Sequence, residues 1–439
     1  MRSSSTRICM LIPGYHPPDG GGAGQLRGLL GQIDRERFAP FVLTRRAGDE
    51  LGPARVDATP VVRLPVAPRP MMLFLSTARY LWKHRKDYDV IHVHSLGEMA
   101  LAGAFIKRLI RQKTFVLRIP RFGQGSSLHR MTSTRLGRSQ LQYLLRHADA
   151  VIPPTGQAAE LLQAWGVSGH KIARLPSGVD SDQFRPALED EKRVLKRSFG
   201  IDENAFVGVV VARLTAQSNV SLALKAWGRL CKSHPDSVLI VVGDGPQGPR
   251  LSALAESDLQ PGSVIFIGGT CRRDVARMLR TADAYVSYSS SVEVSNAMLE
   301  AMSCGLPVVV ARTPPAEETV KHMETGFLFD SRQPMDGADY IIRLAEDPNL
   351  ARSMSVLARR YAKTAHSFEK ATRALERRYG MGPTGSEERL SIQAPDQTGR
   401  TVEIPRDRSR PQPRQQQTQQ PRKSRRSRKK RKKRLKVAQ

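Results

Sequence analysis

The chain has 439 residues, 40% of them hydrophobic and 25% charged, which is enough for two or three packed domains and argues against a collagen-like chain, a coiled coil or wholesale disorder. Lys and Arg number 70 against 41 Asp and Glu, a net charge of +29, and a body of that sign favours anionic partners such as phosphate esters, acidic lipid headgroups or nucleic acid. Four scattered cysteines, Cys9, Cys231, Cys271 and Cys304, form no Cys-x-x-Cys pair, which argues against a zinc ribbon or a disulfide framework.

The apolar run that opens the chain stops at Pro13, too short for a signal-peptide core, and no run reaches the roughly 18 apolar residues of a membrane span. A cytoplasmic protein is expected, meeting a membrane only from its surface. Short apolar runs then alternate with segments of helical periodicity. Strands are predicted at Ile8–Pro13, Phe41–Thr44, Asp89–His94, Thr114–Leu117, Ala150–Ile152 and Ile172–Leu175, and again at Phe206–Arg213, Ser237–Gly243, Val264–Gly268, Ala284–Ser287, Pro307–Ala311 and Gly326–Phe329. Helices are predicted between them, at Gln25–Gln32, Ser221–Cys231 and Asn296–Ser303 among others. The pattern implies an α/β chain with two successive doubly wound, Rossmann-like domains.

Pro, Gly, Ser and Asp gather between Pro176 and Lys192, the expected interdomain linker. A basic amphipathic helix is predicted over Ser367–Tyr379. Beyond about residue 385 the chain is too poor in apolar side chains to offset an ordering entropy of roughly 1–2 kcal/mol per residue, so a disordered tail is expected. Residues 381–439 hold 18 basic and 5 acidic side chains, and Arg422–Lys436 holds 12 basic residues in 15 without an aromatic to stack on a base. Such a segment suits an anionic membrane surface, or else a solvated tail or a nonspecific nucleic-acid arm.

Three stretches carry candidate chemistry. A strand ends at Ile12-Pro13-Gly14-Tyr15 and leads into a run of glycines that includes Gly21 and Gly22, which permits close backbone approach to a phosphate at the start of the next helix, or simply makes a flexible turn. His92 and His94 lie two apart on a strand and so face one side; they suit a metal only if a third ligand joins them, and core histidines are commoner. Gly243-Asp244-Gly245-Pro246 reads as a structural turn. In the richest stretch, Ala282–Ala311, Ser295 and Asn296 can cap a helix that carries Glu300. A helix start beside a carboxylate can bind an anion through its N–H groups and a sugar hydroxyl pair through the acid, whereas a solvated surface glutamate is the plainer alternative.

Pro176–Pro186, Val211-Ala212-Arg213-Leu214, Val242–Pro246 and Ser295–Met302 occur in one order and spacing. Together they resemble the retaining nucleotide-sugar glycosyltransferases of family four, the glycosyl transferases group 1, over about residues 7–380. The resemblance implies the GT-B fold, in which two Rossmann-like domains face a cleft. It implies an acceptor domain at 1–180, a nucleotide-sugar domain at 181–365, a helix at 366–385 crossing back to the first domain, and the polybasic tail at 386–439. Transfer of a hexose from a UDP- or GDP-sugar to a glycan or lipid-linked acceptor is expected, with no metal or other cofactor. By position, Gly21 and Gly22 resemble the glycine loop facing the donor diphosphate, Arg213 the phosphate-binding arginine, Glu300 the acid that grips the ribose, and Ser295, Asn296 and Ala297 the segment whose amides face the diphosphate.

Two positions depart from the family. Ser218 stands where a lysine usually follows the arginine, and Val292 where an acid usually precedes the Glu300 position, with Glu293 one place later as a displaced catalytic candidate. These departures leave two other readings open: an impaired GT-B scaffold acting as a binding or regulatory protein, and a polyanion-binding protein that works through its tail.

Overall fold

The computed structural model describes residues 5–15, 21–46, 54–65, 69–120, 126–290 and 295–380. Its first sheet contains β1 (Thr6–Leu11), β2 (Phe38–Arg45), β3 (Arg55–Val56), β4 (Thr59–Leu64), β5 (Val90–Val93), β6 (Thr114–Arg118) and β7 (Ala150–Ile152), in the order β3-β4-β2-β1-β5-β6-β7. The second contains β8 (Val207–Val211), β9 (Val238–Val242), β10 (Val264–Gly268), β11 (Ala284–Ser287), β12 (Val308–Ala311) and β13 (Gly326–Phe329), in the order β10-β9-β8-β11-β12-β13. Central strands such as Val207-Gly208-Val209-Val210-Val211 are β-branched and buried on both faces because helices cover each side of a parallel sheet. The order reverses beside β1 in one sheet and beside β8 in the other, and in open α/β sheets such reversals place ligands outside the C-terminal strand ends. This is the expected α/β architecture of two Rossmann-like sheets.

Three details differ from the sequence expectation. Ile172–Leu175 makes one isolated bridge, Val151 to Ile172, and no strand, because it lies beyond three-residue β7 and follows the tight turn Gly169–Lys171. The strands β3 and β4 are additional: Pro60 and Arg63 interrupt the apolar run, and Pro60 falls where β4 pairs only with the two-residue outermost strand β3. They pair antiparallel through Asp57 and Ala58, whose φ values of 45° and 63° make the reversal. Finally, the helix Glu189–Ser198 begins inside the segment expected as linker.

The two halves are joined by the helix Phe368–Gly380. Phe368, Ala371, Thr372, Leu375 and Tyr379 form its buried stripe, and it packs on the helix Gly21–Gly31 of the first half. Phe368 occupies a slot that only glycine leaves open: a Cβ on Gly28 would come within 2.2 Å of its ring, and one on Gly178 within 2.1 Å. Thr372 Oγ1 donates to the Leu29 carbonyl at 3.2 Å, and the Asp34 amide donates to Glu376 Oε1 at 2.8 Å. The polybasic segment Arg422–Lys436 and the expected disorder beyond residue 385 lie outside the described residues, apart from which no described helix is long and apolar enough to cross a membrane.

Candidate active site

The C-terminal ends of the two sheets meet. Gln25, on the helix after β1, donates to Asn296 Oδ1 at 3.1 Å and to the Gly178 carbonyl at 2.8 Å, while the Gly178 amide donates back to Gln25 Oε1 at 3.1 Å. The Gly156 amide, after β7, donates to Glu318 beyond β12 at 2.9 Å. On the second-sheet side of this cleft is a cavity of about 380 Å³ whose lining includes Arg213, Ser218, Tyr285, Ser295, Asn296 and Thr313.

Arg213 follows the end of β8 in a loop fixed from behind. The Ala212 amide donates to the Val242 carbonyl at 3.0 Å and the Leu214 amide to the Asp244 carbonyl at 2.9 Å. Gly243 has a φ of 131° and a Cβ there would lie 1.9 Å from the Ala212 oxygen, so the turn Gly243–Pro246 is the structural brace its sequence indicates. Arg213 is exposed at the cavity and makes no hydrogen bond or ion pair with its guanidinium among the described residues. Ser218 closes the same loop, its hydroxyl donating to the Arg213 carbonyl. The hydroxyl that replaces the family's lysine therefore fixes backbone and adds no charge.

The helix Asn296–Ser303 begins at the same cavity. Ser295 caps it by accepting from the Met298 amide at 3.2 Å, and the remaining first-turn amides of such a helix have no internal partner, so Asn296 and Ala297 present donors and the positive end of a helix dipole. Gly21 and Gly22 are exposed at the start of the helix Gly21–Gly31, with nothing within 4 Å of a Cβ on either, one turn from Gln25. Glu300 is not among the side chains lining the cavity. It is buried and accepts from Arg272 Nη2 at 2.6 Å, with the Arg272 guanidinium 5.3 Å from the Phe184 ring centre. Glu293 and Val292 lie outside the described residues. Gln25 and Arg272, which bond Asn296 and Glu300, are not among the residues the sequence singles out: Gln25 is signalled by a polar side chain on a buried helical stripe, whereas nothing local marks Arg272.

Burial pushes the Glu300 carboxyl up to about 7, with the Arg272 guanidinium pulling it down. A carboxyl raised from 4.5 binds a proton in the folded chain that it lacks in the unfolded one, so stability is fullest below about pH 4.5 and is lost as pH rises through 7. Thermal melts of the ligand-free chain should show this decline between about pH 5 and 8, and Glu300→Gln should flatten it. An unchanged slope in the variant would contradict the assignment.

His92 and His94 do not form a metal centre with a third ligand: among the described residues no group of three His, Cys, Asp or Glu gathers at one point. His92 Nδ1 instead lies 2.6 Å from Tyr379 Oη.

Comparison with known proteins agrees with this geometry. Residues 191–361 match the family described as glycosyl transferases group 1, and residues 20–178 match the glycosyl transferase 4-like domain. The chain belongs to the group 1 glycosyl transferases of family four. The alpha-monoglucosyldiacylglycerol synthase of Streptococcus pneumoniae is 24% identical over 82% of this chain and 85% of its own. A GDP-mannose-dependent monoacylated alpha-(1-6)-phosphatidylinositol monomannoside mannosyltransferase of Corynebacterium glutamicum is 22% identical over 84% and 96%. The crystal structure of Anabaena HepE in complex with UDP and glucose superposes with a TM-score of 0.70 at 20% identity, covering 85% of this chain and 99% of that one, which establishes the GT-B fold. Within this glycosyltransferase, Gly21 and Gly22 fall in the first matched segment and Arg213, Asn296 and Glu300 in the second.

Proposed function

We propose that the glycosyltransferase moves a hexose from a UDP- or GDP-sugar to a glycan or lipid-linked acceptor, with retention at C1 and without a metal ion. The observation that carries this reading is that Arg213, unpaired among the described residues, lines one cavity together with Ser295 and Asn296 at the start of the helix Asn296–Ser303. Two phosphates placed there meet a guanidinium on one side and the Asn296 and Ala297 amides on the other, with the Gly21–Gly22 backbone available from the first half. As the bond from C1 to the diphosphate breaks, negative charge grows on the departing oxygen, and preorganised donors at that point lower the barrier. The relatives support the substrate classes: one is named for GDP-mannose and two for lipid acceptors, and HepE was crystallised with UDP. Glu300 is the ribose-binding acid in this account, which requires the nucleoside to compete with Arg272 for the carboxylate.

Residues 1–180 provide the acceptor side, 181–365 the donor side, and the helix Phe368–Gly380 crosses back between them. Arg422–Lys436 would hold the enzyme at the anionic inner face of a membrane, each basic residue contributing about 1 kcal/mol at most. Glu293 serves as the sugar-gripping acid displaced by one position.

A specific observation also favours an impaired scaffold. Ser218 supplies no charge, and loss of one preorganised group commonly lowers a rate about 100- to 1,000-fold. Sugar release from a panel of UDP- and GDP-sugars decides between the two. The transferase reading predicts low but real wild-type turnover, raised by Ser218→Lys combined with Val292→Glu. No turnover and no nucleotide binding in either protein would establish the scaffold, and loss of robust turnover in Glu293→Gln would assign that acid.

A further inference from the structure

The register that pairs Val93 of β5 with Leu117 of β6 sets His94 beside Arg118 and His92 beside Val116, all on one face of the first sheet. Apolar side chains of that face, Val90, Val116 and Ile152, pack in the same core cluster as Tyr379. Two imidazoles and a guanidinium are thus carried into hydrophobic surroundings. His92 is fully buried and His94 is 6% exposed, with ring centres 4.1 Å apart. Tyr379 accounts for His92 Nδ1. The Nε2 atoms of both rings and Ser95 Oγ are buried with no hydrogen-bond partner among the described residues.

Arg118 is the group the fold leaves unexplained. It is half-buried, and desolvation pulls its pKa down, yet it forms no ion pair with any described carboxylate; the ionisable groups it feels are Tyr379, His92 and His94. Burial and the nearby guanidinium hold His92 at about 3 and His94 well below the usual imidazole range, so both rings are neutral and the guanidinium is the charge of the cluster. Taking a charge out of water is costly unless it is paired. Core packing explains a Tyr–His pair, and it does not explain a cation beside two unpartnered ring nitrogens. The cluster lies at the C-terminal ends of β5 and β6, the ends that border the cleft, whereas Arg213 stands on the second-sheet side.

We propose that Arg118, His94 and Ser95 form an anion subsite on the first-sheet wall of the cleft, and that it takes the phosphate of a phosphorylated acceptor. A planar guanidinium fork, an imidazole and a hydroxyl are donors of the kind suited to a tetrahedral oxyanion. This deepens the transferase reading and rests on it. The phosphate is either a monoester on a free acceptor or the diester of a lipid headgroup, and the two are separable by experiment.

The test uses the full chain saturated with UDP, so that the Arg213 side is occupied. Glycerol 3-phosphate, a monoester, and dihexanoylphosphatidylglycerol below its micelle concentration, a diester, are titrated calorimetrically. At least one should bind, and Arg118→Met should weaken it by about tenfold or more, the loss of a charge-assisted contact. Binding of the monoester alone identifies a free phosphorylated acceptor, and of the diester alone a lipid headgroup. Arg118→Met should also melt no lower than the wild type, because it removes a half-buried charge that no described carboxylate compensates. Should that variant not fold, nitrogen-15 spectra of the wild-type rings give the answer: the ester should shift the His94 signals and leave those of His322, in the second half, in place. Binding of neither ester up to about 10 mM, equal affinity in folded Arg118→Met, or unmoved His94 signals would overturn the subsite. If UDP itself does not bind, the donor reading fails separately, and the same titration of the free protein still reads the Arg118 subsite.

Discussion

Phe368→Ala should destabilise the protein by about 3–5 kcal/mol, the range for truncating a buried aromatic side chain, and is expected to be the largest single-residue effect on folding. The ring is 6% exposed and lies against the backbone of Gly28 and Gly178, neither of which has a side chain that could swing into the space left behind. The cavity would therefore persist, and its cost would add to the lost transfer energy. Gly28→Val makes the opposite error at the same place, since its Cβ would lie 2.2 Å from the ring. Both should lower the urea midpoint, and because Phe368 starts the helix that joins the halves, both should reduce turnover at temperatures where the wild type is still folded. A shift below about 1 kcal/mol in Phe368→Ala would show that the crossing helix does not depend on this anchor.

The second large effect concerns the reaction. Arg213→Met should lower kcat about 100- to 1,000-fold, the usual consequence of removing one preorganised group that faces charge growing in the transition state. Ser218 cannot compensate, because its hydroxyl is already donated to the Arg213 carbonyl. The thermal midpoint should barely move, since the exposed guanidinium supports nothing else among the described residues. Arg213→Lys should recover part of the rate as a point charge without the fork. Equal kcat in wild type and Arg213→Met would remove the residue from the donor side.

What could be read from the sequence follows from the distance over which each feature is encoded. Strands such as Val238–Val242 are buried on both faces and announce themselves as continuous apolar runs, and the helix Asn296–Ser303 is announced by its Ser295 cap. Arg213 was legible for the same reason, standing at the end of one such run and before a glycine-rich turn. The edge hairpin β3–β4 was not, because Pro60 and Arg63 break its alternation and its pairing to β2 is a tertiary choice. Nor was the Arg272–Glu300 contact, made across 28 positions between two helices with no local signal at either end. Glu300 consequently read as an available acid when it is already engaged by a guanidinium. The neighbourhood of Arg118, His92, His94 and Tyr379 depends on a helix returning from the far end of the chain, which strand spacing alone could not reveal.

Titration of the wild type and Glu300→Ala with UDP and GDP, with EDTA present, tests the central claim most directly. One of the nucleotides should bind once per chain without a metal ion. Glu300→Ala should weaken it at least about tenfold, through the loss of charge-assisted bonds worth roughly 1.5–3 kcal/mol each. Failure of both nucleotides to bind the folded wild type, or unchanged affinity in a folded Glu300→Ala, would contradict the donor site described here.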